Sequence, residues 1–203
     1  MKDTTLRDMV ESALDYEPSI DAANIGVAVD NGVVTLTGHV ATYAQKLTAE
    51  RVVRGVNGVR GIAQEIEVRD SLGKHIADDE IASRALRIIA WDVTIPSDKI
   101  QVKVQKGWVT LSGKVDWYFQ RSAAEHAVRK LSGVLGVTNQ IIVAPAIVAS
   151  DVKRRIEEAL KRSAEVEASG VTVSVKDSKV TLDGKVRSWR ERKSIEQAAW
   201  AAP

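Results

Sequence analysis

The side chains that most often carry chemistry are thinly spread here. His39, His75 and His126 are the three histidines, and none has a second ligand at metal-binding spacing. There is no cysteine, hence no thiolate nucleophile, thiolate metal site or disulfide. No Ser-His-Asp set can be argued, and no glycine-rich loop has the spacing of a phosphate cradle. Asp78-Asp79-Glu80 reads as a helix start, where acids favour the positive end of the dipole, rather than as a metal site. No catalytic residue, metal or cofactor is therefore expected. Potassium binding would need converging carbonyl oxygens, which side-chain identities do not disclose.

What these residues can do is bind. Trp117, Tyr118 and Phe119 follow one another, with Lys114, Arg121 and Lys130 close by. Amphipathic rings beside cations suit an anionic bilayer interface, where each cation near the surface contributes about 1 kcal/mol. The competing use of those rings is a contact between parts of this same chain. A second patch, Ile88-Ile89-Ala90-Trp91, ends a helix, and its plain alternative is an extension of the core. Basic residues are scattered and the net charge is only +2, which disfavours nucleic acid as a partner. The charge is uneven, with residues 1–70 at −4 against +3 each for residues 71–149 and 150–203. An acidic head on a mildly basic body would orient the molecule near an anionic surface, and the plainer alternative is drift among solvated charges.

The elements that position these residues come from a repeat. Val33-Val34-Thr35-Leu36-Thr37-Gly38-His39-Val40 returns as Trp108 to Val115 and again as Lys179 to Val186. A fixed internal period outranks other signals. In the first copy Leu6, Val10, Ala13 and Leu14 make a helical stripe, with Thr4 or Thr5 as cap and Pro18 beyond its end. Ile25, Val27 and Val29 alternate as a strand, Asp30-Asn31-Gly32 turns, and Val34, Leu36, Gly38 and Val40 line one face of the next strand. A helix from near Tyr43 to Val56 follows and Asn57-Gly58 ends it. Ile62, Gln64, Ile66 and Val68 form a last strand, parallel to the second.

The second copy carries Ile81, Ala85, Leu86 and Ile89, then Ile100, Val102 and Val104, then Val109, Leu111, Gly113 and Val115. Ala124, Ala127, Val128 and Leu131 come next, with Ser132-Gly133 ending that helix, and Val137, Asn139, Ile141 and Val143 close the copy. Three extra residues are expected around Trp91 to Pro96. The third copy has Val152, Ile156, Ala159 and Leu160, then Val171, Val173 and Val175, then Val180 to Val186, and a helix with Ile195, Ala198, Ala199 and Ala202. It stops at Pro203 before a last strand. The expected fold is α+β: three tandem α-β-β-α-β repeats, each a small mixed sheet covered on one face by two helices. The third is expected to lack its last strand. Repeat one spans 1–70, a linker 71–78, repeat two 79–144, a linker 145–149 and repeat three 150–203.

The missing strand implies a truncated chain or a strand supplied by another subunit or domain, with self-association through the open edge of repeat three as one form. Gly38, Gly113 and Gly184 read as structural, letting a helix backbone approach or permitting a bulge. Tyr43, Tyr118 and Trp189 share one position and are expected to close the end of each core. Trp108 lies on the face opposite Val109.

The motif Gly-x-Val-Thr-Leu-x-Gly-x-Val, followed by a helix, Gly-Val and an alternating strand, resembles the BON domain. The match is Gly32 to Val40 with Gly58-Val59, Gly107 to Val115 with Gly133-Val134, and Lys179 to Val186, where Lys179 replaces the first glycine. The resemblance implies an α-β-β-α-β fold and a non-enzymatic role at or near membranes: binding phospholipid, assisting envelope proteins, or stabilising cells under osmotic stress. Lipid-binding members use an aromatic-bearing helix of one repeat, which adds Trp91 to the candidate sites. The first expectation is thus a stress-linked module binding anionic phospholipid or an envelope-associated partner. The alternative is a soluble stress protein of chaperone or potassium-sensing type that never touches a membrane. Acids near Met1 where a signal peptide needs an apolar run point to the cytoplasm, or to the periplasm if a leader was removed.

Overall fold

The computed structural model describes residues 2–69, 76–144, 152–162, 171–176, 179–186 and 188–200. Repeat one contains α1 (Asp3–Asp15), β1 (Ile25–Asp30), β2 (Val33–Val40), α2 (Tyr43–Arg54), β3 (Gly61–Gln64) and β4 (Glu67–Val68). Repeat two contains α3 (Asp78–Trp91), β5 (Ile100–Gln105), β6 (Trp108–Val115), α4 (Tyr118–Val128) and β7 (Gly136–Val143). Repeat three contains α5 (Val152–Arg162), β8 (Val171–Lys176), β9 (Lys179–Gly184) and α6 (Trp189–Trp200).

In each repeat the first two strands form an antiparallel hairpin, and in repeats one and two the last strand runs parallel to the middle one. The alternation of β2 and β6 buries Val34, Leu36 and Val40, and Val109, Leu111 and Val115, against the helices. Leu6, Val10 and Leu14 complete the first core, and Ile81, Ala85 and Ile89 the second. Leu86, read as part of that second stripe, is instead exposed. The last strand of repeat one is broken: β3 and β4 both pair with β2, and between them the Gln64 side chain accepts a hydrogen bond from Ile66 N. No extra residues separate the first helix from the hairpin in repeat two. A spacing of 75 relates Leu6 to Ile81, Tyr16 to Trp91 and Gly38 to Gly113 alike.

The first helices are not capped by threonine. Thr4 and Thr5 lie inside α1, which begins at Asp3 with no side-chain cap. The Asp3 carboxylate reaches across to the hairpin turn and accepts from Asn31 N at 2.9 Å and Gly32 N at 3.2 Å. Asp78 does the same for Lys106 N at 2.7 Å and Gly107 N at 2.8 Å. Both turns hold two successive residues at positive φ, Asn31 with Gly32 and Lys106 with Gly107, which matches the twist of a two-residue hairpin.

Gly38 is required for a reason other than helix approach. At φ +101°, its Cβ would stand 2.0 Å from the carbonyl oxygen of Asn24, in the 3-10 turn entering β1; Gly113 meets Lys99 O at the same distance. Gly184 holds the same register, paired with Val171 as Gly38 is with Ile25. The second helices end earlier than expected, at Arg54 and Val128, and Gly58 and Gly133 take positive φ in the turns that follow.

The shared aromatics join repeats rather than closing their own cores. Tyr43, first residue of α2, packs against the core of repeat two, and its hydroxyl is hydrogen-bonded to the Val137 backbone, beside Glu125 of α4 and Arg129 just past its end. Tyr118, first residue of α4, stacks on Trp200 of α6 with centroids 4.7 Å apart. Trp189, first residue of α6, lies under the Arg54 guanidinium of α2 at 5.5 Å. Arg54, Arg129 and Trp200 are themselves equivalent positions at the repeat spacing. One pair of positions is thus used in turn from repeat one to two, two to three and three to one, a head-to-tail contact that closes.

Candidate functional site

The chemistry-bearing residues stay apart. Among the described residues no group of histidine and carboxylate side chains could hold a metal ion. His126 Nδ1 is engaged by its own helix, at Ser122 O and Ser122 Oγ. His39 lies on β2, and His75 falls outside the described residues.

The two aromatic patches lie toward the same end of repeat two. There α3 finishes at Trp91, a loop returns to β5, and Ile100 of β5 pairs with Gly113 near the end of β6. Lys99 Nζ bridges that loop to Asp116 at 3.0 Å, one residue before Trp117. The ion pair raises the Lys99 pKa through its hydrogen bond and charge contact with Asp116. Trp117 and Phe119 stack 6.5 Å apart and are 39% and 53% exposed. Trp91 is 87% exposed, and Val93, which the sequence did not single out, is 97% exposed. Ile89 is in the core and Ile88 packs against it, so of the second patch the aromatic ring alone is a surface feature of size.

Lys114 is exposed near this end, whereas Lys130, also exposed, follows the far end of α4 and so lies at the opposite end of the repeat. Two residues read as part of the patch are not free for it. Arg121 turns inward, its guanidinium donating to Asn139 O at 3.3 Å. Tyr118 is half-buried against repeat three, and that burial raises its phenol pKa. Trp108 covers Gly136 and donates through Nε1 to Thr138 Oγ1 at 2.8 Å, beside an outer sheet face that also exposes Ile142.

Trp117 occupies a place where local physics wants an oxygen. It is the residue before α4, the N-cap. The equivalent Thr42 accepts from Gln45 N at 3.2 Å, and Ser188 accepts from Glu191 N at 3.2 Å. Indole has no acceptor to offer. Gln120 reaches back to Trp117 N as Gln45 does to Thr42 N, so only half of the capping box survives. Such a lost cap costs about 1 kcal/mol. The three positions side by side, Thr42, Trp117 and Ser188, are the sequence signal for this.

The profile of the BON domain matches residues 2–70, 77–145 and 149–203. The chain belongs to the BON-domain family. It contains three tandem BON repeats, each with the α+β arrangement that the alternation predicts. It is similar to osmotically-inducible protein Y of Escherichia coli (strain K12), 32% identical over 145 residues, covering 70% of this chain and 72% of that one. Two solved structures of CdsD, a structural protein of the type III secretion system of Chlamydia trachomatis, align over 98% of this chain. They cover 87% and 91% of those chains at 16% and 15% identity, with TM-scores of 0.27, too low to bear on arrangement. Among the described residues no helix is long and apolar enough to cross a membrane.

Proposed function

We propose that this BON protein is a non-enzymatic binding module of the osmotic-stress response, and that the end of repeat two carrying Trp117, Phe119, Trp91 and Val93 docks onto anionic phospholipid. The observation that carries the reading is Trp117 at an N-cap position. Repeats one and three keep the capping hydroxyl there, and repeat two gives it up for a half-exposed ring stacked on Phe119. A residue that breaks a local rule without local compensation marks a place selected for something other than stability. Exposed indole, phenyl and isopropyl groups match the interfacial zone of a bilayer, and Lys114 supplies charge attraction. The name of the Escherichia coli relative supports the osmotic context.

The test is co-sedimentation with anionic and neutral liposomes at low and high salt. Binding is expected with anionic vesicles, weakening as salt screens the charge attraction. Trp117→Thr separates function from fold: the restored cap, worth about 1 kcal/mol, offsets part of the packing lost with the ring, so the chain stays folded while lipid binding falls. Absence of binding to either vesicle overturns the reading. The function then falls to a soluble stress role of chaperone or potassium-sensing type.

A further inference from the structure

Two of the four asparagines, Asn31 and Asn57, stand directly before a glycine. An asparagine in that place can lose its side-chain amide without an enzyme. Base removes the proton from the glycine backbone nitrogen, which attacks the asparagine Cγ. The new C–N bond closes a five-membered succinimide, and the side-chain nitrogen leaves as ammonia. Water then adds to either succinimide carbonyl, giving an aspartyl or an isoaspartyl residue. Glycine favours the step because no Cβ covers its nitrogen and its backbone rotates freely. The two sites lie together at one end of repeat one: a Cβ on Gly32 would stand 3.3 Å from Gly58 O. Repeat two has Lys106 and Ser132 at the equivalent positions, so it has no side-chain amide there.

We infer that Asn57 is a site of spontaneous amide loss, whereas Asn31 is shielded by Asp3. Gly32 N, the nucleophile at the Asn31 site, donates to Asp3 Oδ1 at 3.2 Å, and Asn31 N donates to Asp3 Oδ2 at 2.9 Å. That carboxylate holds the proton the reaction must remove, and its charge opposes an anion forming on the same nitrogen. The Asn31 side chain is itself drawn back, its Nδ2 donating to Asp30 Oδ1 at 3.0 Å. Strands β1 and β2 fix the turn on both sides, with Asp30 paired to Val33. Asn57 has none of this. It is exposed in the turn after α2, and among the described residues no hydrogen bond holds its side chain or Gly58 N. Gly58 takes φ +95°, and the turn is closed by a long bond, Val59 N to Val56 O at 3.4 Å. The isoaspartyl product inserts an extra carbon into the main chain shortly before two anchored residues. Val59 is buried in the core, and Arg60 N donates to Gly32 O at 2.8 Å. The new carboxylate also adds negative charge to a repeat already at −4. Loss of this amide therefore loosens repeat one and leaves the chemistry of repeat two untouched.

The test is incubation of the full chain at mildly alkaline pH, native and in urea, followed by trypsin and mass spectrometry. Cleavage after Arg54 and Arg60 isolates Asn57 in the peptide Gly55–Arg60, and cleavage after Arg7 and Lys46 places Asn31 in Asp8–Lys46. Each conversion exchanges an amide for an acid and is read as that gain in mass. In the native chain Gly55–Arg60 gains it at nearly the rate found in urea. Asp8–Lys46 gains it roughly tenfold more slowly than in urea, the effect of one hydrogen bond to a charged group. Asp3→Ala, with its folded state checked by circular dichroism, speeds Asn31 to the rate of Asn57 and leaves Asn57 unchanged. Asn57→Ser, which installs the residue of repeat two, keeps its urea midpoint on incubation while that of the native chain falls. Equal native rates at the two sites, or an Asn57 slowed roughly tenfold by folding, overturn the inference. So does an Asp3→Ala chain in which Asn31 reacts no faster.

Discussion

Replacing Tyr43 by alanine tests whether the three repeats act as one body. The ring is half-buried against repeat two, and its hydroxyl is bonded to the Val137 backbone. A tyrosine of this kind removes roughly 120 Å² of apolar surface from water, worth about 3 kcal/mol at 25 cal/mol per Å². The hydroxyl bond adds about 1 kcal/mol. Tyr43→Phe should therefore cost about 1 kcal/mol and Tyr43→Ala about 4 kcal/mol. The alanine variant should also loosen repeat one from its neighbour, because Tyr43 belongs to no core residue set of its own repeat. Urea unfolding followed by circular dichroism and by tryptophan fluorescence reads both effects. Residues 1–70 contain none of the five tryptophans, so fluorescence reports repeats two and three. Coincident transitions in the native chain should separate in Tyr43→Ala, with a smaller slope for each. Coincident transitions with a midpoint equivalent to less than about 0.5 kcal/mol of change would refute the coupling.

Gly113→Ala should destabilise repeat two by about 3 kcal/mol in thermal or urea unfolding, since it combines strain at positive φ with a backbone clash. The Cβ would stand 2.0 Å from Lys99 O at φ +135°. Stability should fall at alkaline pH. Burial raises the phenol pKa of Tyr43 and Tyr118, so the folded state holds these protons longer than the unfolded state. Their contribution is complete below the ordinary tyrosine value of about 10 and declines as pH rises through the raised folded values. Urea midpoints measured across that window should drop less in Tyr43→Phe/Tyr118→Phe than in the native chain.

Periodicity disclosed most of the architecture because each strand buries one face only. Val34, Leu36 and Val40 had to share a side, and their alternation says so. Contacts that cross long stretches of sequence were not legible in the same way. Asp3 looks like an ordinary first-turn acid, and nothing local tells that it holds a turn 28 residues away. Gly38 could be recognised as necessary, but not that a carbonyl of the turn before β1 is what excludes a side chain. The aromatic trio was visible as a shared position. Its use between repeats would have emerged from aligning the far ends of the same helices, Arg54, Arg129 and Trp200. At the candidate surface the rings were legible, whereas the inward turn of Arg121 depends on Asn139 in a different element. The prominence of Val93 depends on the loop's path.

Closure of three repeats through one repeated pair of positions has a bearing on how the candidate surface came to be single. Three separate identical subunits built this way would show every feature three times, once per subunit. A substitution that gave an exposed ring at one N-cap would remove the cap from all. Tandem fusion breaks that obligation. Thr42 and Ser188 keep their hydroxyls while Trp117 departs, so the cost of the exposed ring falls on one helix in three. Trp91 and Tyr16 share a position but differ in ring, and β3 with β4 is broken where β7 is continuous. Covalent linkage lets each repeat keep the architecture and specialise alone, giving the molecule one distinguishable side.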